Sequence, residues 1–174
     1  MDNGDGMDEA QLDQAMRLGE RSPLDIRDPH DLGRFGLGLK TASFSQCRRL
    51  TVASRKNESV NCLRWDLDVL AASSDDGWHL LEGPALGSEH ILSMLDQSMQ
   101  GTMVLWESMD RIVTQGFTEQ NFLDLIDRVD QHLSLVFHRF ISGSQPRVRI
   151  NIHNSPIKPR DPFLINHTAT WSSP

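Results

Sequence analysis

Two glycine-rich segments hold the residue types and spacing that could do chemistry: Asp2-Asn3-Gly4-Asp5-Gly6-Met7 and Gly33-Arg34-Phe35-Gly36-Leu37-Gly38-Leu39-Lys40. In the second, three glycines running into a helix let backbone amides come close to a bound anion, and a helix N-terminus adds a field that favours phosphate. The order is GxxGxG and the residues from Ile26 to Leu32 are too polar for a buried strand, which excludes a Rossmann dinucleotide fingerprint. Leu39 separates Gly38 from Lys40 and Thr41, so a Walker A loop is missed by one residue. Taken alone, this segment reads equally well as a glycine hinge in a loop. The first segment excludes an EF-hand, because aligning Gly6 with the loop glycine puts Met1 and Leu12 at ligand positions where neither side chain can bind calcium. An ordinary surface turn remains open for it.

Other chemistries find no support in the spacing. His132 and His138 lie six apart on one helical stretch and face roughly 120° away from each other. Cys47 and Cys62 form no CxxC pair, and no serine sits in a GxSxG elbow. Trp65, Trp78, Trp106 and Trp171 read as core or sheet-edge residues.

The elements that must position the two segments follow from periodicity. Asp8 with Gln11 three residues later forms a capping-box pattern opening a helix over about 8–18, with Leu12, Ala15 and Met16 on one face and Gly19 as its C-terminal cap. Residues 19–35, with Pro23 and Pro29, read as a long loop. Small and apolar residues from Leu37 to Cys47 suit a buried helix. RRLTVASR and SVNCLRWDLDVL alternate as a strand pair around a Lys56-Asn57 turn, and WHLLEG and TMVLWES read as two more strands with a short helix near Ile91–Leu95 between them. Phe122, Ile126, Val129, Leu133, Val136 and Phe140 mark one helix over 118–141 with Thr118 as N-cap. RVRINIHN and IKPRDPF flank Asn154-Ser155-Pro156 as a terminal strand pair. Sequential strands joined by short turns predict an α+β fold, a two-layer α/β sandwich whose sheet is mixed but mostly antiparallel with helices on one face.

Composition bounds the partners. The chain has 174 residues and a formal charge of -7, with 38% apolar and 24% charged residues, so one ordinary domain with a sizeable core is expected and general nucleic-acid affinity is not. Residues 1–32 carry nine acids and three bases. Arg139, Arg147, Arg149, Lys158 and Arg160 form a basic stretch that permits nucleic-acid contact without arguing for it. The sequence shows no apolar run of membrane-spanning length and no secretory signal, and two cysteines cannot build a disulfide framework, so a reducing, cytoplasmic setting without membrane contact is expected.

DNGDGM, a helix, a polar segment, GRFGLGLK opening a second helix, and Gly101-Thr102 before a strand together resemble the ATP-binding (Bergerat) fold of the GHKL superfamily: gyrase B, the ninety-kilodalton heat-shock chaperones, histidine kinases and MutL. Within it, the segment around Gly19–Ser22, GRFGLGLK with its lysine, and the long helix followed by a DPF segment are most similar to the Microrchidia (MORC)-like ATPases. The resemblance spans essentially the whole chain. It implies an ATP-binding domain over 1–153 and a C-terminal extension over 154–174 leading towards a second domain. It implies further that the Asp2 carboxylate accepts a hydrogen bond from the adenine amino group, with a water shared by Thr102. Gly4 and Gly6 would let the base approach the backbone, and Met7 would cover it. Gly33, Phe35, Gly36, Leu37 and Gly38 would hold the phosphates with Lys40 as a point charge beside them.

The superfamily carries its magnesium-binding asparagine and general-base glutamate on a helix upstream of the DxGxG aspartate. The sequence therefore reads as an N-terminally truncated domain with no catalytic residue and no metal ligand of its own, which binds ATP while Mg2+ is held by the upstream segment. The function implied is an ATPase domain in which nucleotide closes the loop over 19–38 and controls homodimerisation or the conformation of a larger protein. A nucleotide-binding or dimerisation module that does not hydrolyse ATP is the second reading. A sensor histidine kinase is a third, although the 62 residues between Lys40 and Thr102 exceed what that compact domain normally allows.

Overall fold

RLTVASRK is small or apolar at both odd and even positions through its middle, so the strand it forms can be covered on both faces, and this is the centre of the sheet. In the computed structural model it is β1 (Arg49–Lys56), buried from Leu50 to Ser54. It pairs antiparallel with β2 (Ser59–Asp66) on one side and β4 (Gly101–Glu107) on the other, and β2 pairs with the short β3 (Leu81–Glu82), giving the order β3-β2-β1-β4. The β1–β2 connection is Asn57 and Glu58, both left-handed at φ 49 and 68, which matches a two-residue hairpin turn to the strand twist. The structure describes residues 1–17, 37–74, 77–165 and 167–171, and these divide into two compact units, Met1–Thr114 and Gln115–Pro174.

Alternation then sorts the core. Leu50 and Val52 face α1 (Glu9–Met16), where they pack with Leu12, Met16 and Trp65, and Phe44 of α2 (Gly38–Phe44) joins the same cluster. Each fully buried side chain of this size contributes about 1.5–3 kcal/mol. Trp65 is fixed further by its indole N–H, which donates to the Met16 carbonyl at 2.9 Å. On the opposite face Ala53 and Met103 pack with Leu95, Ile91 and Leu92 from α4 (Glu89–Leu92) and the 3-10 turn Ser93–Gln97. The α+β expectation is met, with a sheet that is antiparallel throughout the described strands. α1 and α2 share one face, and α4 with the 3-10 turn lies against the other.

Several local expectations change. SVNCLRWDLDVL is not a single strand: it turns helical after Asp66, as α3 (Leu67–Ala72). The cause is Asp66 itself, whose Oδ1 accepts the N–H of Asp68 at 3.1 Å and of Val69 at 3.3 Å as an N-cap, while Oδ2 accepts from Arg49 Nε at 2.7 Å. Burial pushes this carboxyl's pKa up, but the Arg49 guanidinium and the two N–H donors outweigh it and hold the group below its usual value. WHLLEG supplies only the two residues of β3. In the second unit, α5 (Glu119–Val136) opens with the expected Thr118 cap, in a reciprocal box with Asn121, but the helix breaks at Phe137 (ψ 8) before α6 (His138–Ile141). The terminal pair is β5 (Asn151–Ile152) with β6 (Ser155–Pro156): Ser155 and Pro156, expected in the turn, form the second strand in place of IKPRDPF, and the turn is His153–Asn154 with His153 left-handed at φ 54. The Asp8–Gln11 capping box of α1 is present in full. The expected Gly19 cap and the 19–35 loop lie outside the described residues. Among the described residues no helix is long and apolar enough to cross a membrane.

Candidate functional site

The first seven residues cross the end of the sheet where β1 meets β4. Asp2 donates its backbone N–H to the Thr102 carbonyl at 2.8 Å, and Thr102 returns its N–H to Asp2 Oδ1 at 3.2 Å. Gly4 N–H donates to the same Oδ1 at 2.9 Å, closing an Asx turn. One carboxylate oxygen thus takes two backbone donors, and among the described residues Oδ2 has no hydrogen-bond partner. The carboxylate is exposed, so Oδ2 is an acceptor offered to solvent at a fixed orientation.

This crossing is tight enough to require glycine twice. Gly6 sits at φ +68, and a Cβ there would lie 2.0 Å from the Arg55 carbonyl oxygen; Gly101 sits at φ +139, and a Cβ there would lie 2.2 Å from the Asp2 carbonyl oxygen. Met7 N–H donates to Ser54 Oγ at 2.7 Å, and the Met7 side chain, partly buried, packs against the Leu12–Met16–Leu50 cluster. Ser54 is fully buried in β1 directly opposite Thr102, and the two hydroxyls lie 2.8 Å apart. Of the residues named from sequence, Asp2, Gly4, Gly6, Met7 and Thr102 are therefore brought together. Ser54 and the backbone of Arg55 belong to the same cluster, and sequence reading missed both. Nothing local in the strand marks either, since Thr51 of the same strand is a second buried polar residue.

The second glycine segment is described from Leu37 onward, and Gly33, Phe35 and Gly36 lie outside the described residues. Leu37 is exposed, no side chain caps α2, and a Cβ on Gly38 would meet nothing within 4 Å. Lys40 is 2% exposed and donates from Nζ to the Ala15 carbonyl in the last turn of α1 at 2.8 Å. Its ammonium thereby joins the helix that follows DNGDG to the helix that follows the glycines. Both helices pack on the same face of the sheet, through Leu12, Met16 and Phe44, and Ser43 of α2 accepts the Trp106 indole N–H from β4 at 2.9 Å.

Residues 1–102 match the family described as histidine kinase-, DNA gyrase B-, and HSP90-like ATPase. The chain belongs to this family. No curated protein matches the sequence. The matched segment runs from Met1 to Thr102, so it contains every residue of the Asp2–Thr102 cluster and all of α1, α2, β1 and β2. ATP binding follows from membership in this GHKL-type family.

The residues present fit the purine end of such a ligand: a fixed carboxylate with a free oxygen, next to a half-buried threonine hydroxyl, on a backbone held close by Gly6 and Gly101. Among the described residues no group of three His, Cys, Asp or Glu side chains could hold a metal ion. Burial pushes Cys62 up to about 11 and raises Cys47 as well, so both thiols are protonated at neutral pH.

Proposed function

We propose that this chain is the ATP-binding domain of a larger MORC-like ATPase, in which nucleotide closes the segment over 19–38 and so controls homodimerisation or conformation. The observation that supports the nucleotide part is the Asp2 carboxylate, anchored through Oδ1 by Thr102 and Gly4 with Oδ2 left to accept. An acceptor held there selects adenine over guanine, because adenine presents an amino donor where guanine presents a carbonyl acceptor, and two facing acceptors leave both unpaired. The phosphates fall to the glycine segment that ends at Gly38. The switching part rests on the resemblance. Closure that buries the phosphates would link nucleotide affinity to subunit contact as one coupling free energy. Hydrolysis enters this reading only with a general-base glutamate and a magnesium-binding asparagine, which the resemblance places upstream of Asp2.

Isothermal titration of the chain with Mg-ATP, as wild type and as Asp2→Asn, tests the site. A charged hydrogen bond is worth about 1.5–3 kcal/mol, so the substitution should weaken binding about tenfold to a hundredfold. Unchanged affinity sinks the adenine assignment. Sedimentation with and without a non-hydrolysable ATP analogue tests the switch, and an assembly state indifferent to nucleotide removes it.

A further inference from the structure

One buried ring nitrogen of the second unit has no hydrogen-bond partner. α5 ends at Val136, the chain breaks at Phe137, and His138 opens α6. The Nδ1 of His138 lies 2.6 Å from the Leu135 carbonyl oxygen, in the last turn of α5. A carbonyl can only accept, so Nδ1 carries a proton. The other ring nitrogen, Nε2, is buried, makes no hydrogen bond among the described residues, and faces Asp161 Oδ1 at 3.9 Å.

With the proton fixed on Nδ1, a neutral ring leaves a bare lone pair at Nε2, an acceptor buried opposite a carboxylate and unsatisfied. A second proton turns the same contact into an ion pair. The imidazolium is also the stronger donor to the Leu135 carbonyl, and the C-terminal end of the 18-residue α5 favours a cation. Burial opposes the charge, and so does Arg139, the next residue, whose guanidinium lies 5.6 Å over the Phe163 ring. Asp161 is held below the usual carboxylate range, chiefly by the Ile165 and Phe163 N–H groups, which donate to its Oδ2 and Oδ1 at 2.8 Å, with His138 and Arg139 adding to this. It therefore stays charged through the range in which imidazoles titrate, about pH 5–8. Arg139 and Arg160, the neighbour of Asp161, stay cationic there. Of these groups only His138 changes charge.

Residues 160–165 gain little from apolar burial, since Phe163, Leu164 and Ile165 are 60, 60 and 62% exposed. Arg160 N–H donates to the Ser134 carbonyl at 3.0 Å, the Phe163 ring meets the His138 ring at 6.2 Å, and Asp161 meets Nε2. The last two contacts both run through His138. We propose that His138 is a proton-operated latch: its imidazolium pairs with Asp161 and holds residues 160–165 against the α5–α6 break, and the neutral ring lets them go. Docking and protonation then favour each other, so the segment is held as pH falls through the imidazole range and released as pH rises. The latch lies outside the matched residues 1–102 and does not depend on the nucleotide reading.

NMR of the full chain between about pH 5 and 8 tests it, by following the His138 ring nitrogens and the Phe163 ring. In the wild type Nδ1 should stay protonated while Nε2 titrates, and the Phe163 signals should move with the same midpoint. Asp161→Asn keeps an oxygen for the Phe163 N–H and removes the charge, so the His138 midpoint should fall by about one pH unit, a tenfold loss of proton affinity. His138→Gln keeps a donor and carries no charge at any pH in this range, so the Phe163 signals should stop responding to pH. A His138 midpoint unmoved by Asp161→Asn, Phe163 signals that ignore the titration of His138, or a Phe163 response that persists in His138→Gln each overturn the latch.

Discussion

The two glycine-bearing ends of the candidate site use glycine for opposite reasons. At the Asp2–Thr102 crossing the protein fills the space itself: Cβ atoms at Gly6 and Gly101 would meet the Arg55 and Asp2 carbonyl oxygens at 2.0 and 2.2 Å. At Gly38 a Cβ would meet nothing within 4 Å, so among the described residues no packing demands glycine there. The first end is a folding constraint. At the second, no described residue occupies the space a side chain at this helix start would take. A missing side chain therefore signals binding only where the fold leaves the room empty.

The largest expected effect breaks the first end. Gly6→Ala or Gly101→Ala forces a Cβ into a backbone carbonyl at a left-handed φ, and only movement of the strand or of the N-terminal crossing relieves it. A loss of at least about 3 kcal/mol in urea unfolding is expected for either variant. A melt like the wild type's would mean that residues 2–6 do not cross β1 and β4 as described.

The next effect sharpens the contrast at Lys40. Its buried ammonium donates to the Ala15 carbonyl, one of the last-turn acceptors of α1 that lack an intrahelical partner. Lys40→Met keeps much of the buried stem and removes the donor, so the ligand-free protein should lose about 1–3 kcal/mol of stability. If Lys40 served only as a charge beside phosphates, ligand-free stability would hold and nucleotide affinity alone would fall. Thermal unfolding with and without ATP distinguishes the two.

What could be read from the residues alone follows the range of the interactions. The Asp8–Gln11 capping box closes over three residues, so spacing reveals it, and Thr118 is legible as an N-cap although its reciprocal partner Asn121 is not. The β1–β2 strand pair was legible, but its turn falls at Asn57–Glu58 rather than Lys56–Asn57, so Lys56 pairs with Ser59 in the strand instead of turning. Asp66 defeated the pattern because its side chain fits an alternating strand while its carboxylate caps the following helix, a choice made jointly with Arg49 seventeen residues away. Ser54 was illegible for the same reason at longer range: its partners are Met7 and Thr102, 47 and 48 residues distant, and nothing local marks it apart from other strand serines. Lys40's type and position suggest a phosphate partner, and its ammonium also donates to the Ala15 carbonyl, a contact no motif foretells.

The smallest effect on stability belongs to Gly38, and it carries the most about function. As the first residue of α2, exchanged for alanine, it should change unfolding stability by less than about 1 kcal/mol, in the direction of a gain, since alanine is the better helix former and the added methyl clashes with nothing. Nucleotide binding should respond differently. If phosphates use the space beside this backbone, the methyl stands where they approach, and affinity for ATP should fall about tenfold while affinity for adenosine, which has no phosphate, stays at the wild-type value. Titrating both ligands against both proteins reads the difference directly. Parallel losses for ATP and adenosine would place the disturbance at the purine end, and no loss for either would leave Gly38 a helix-start glycine with no ligand beside it.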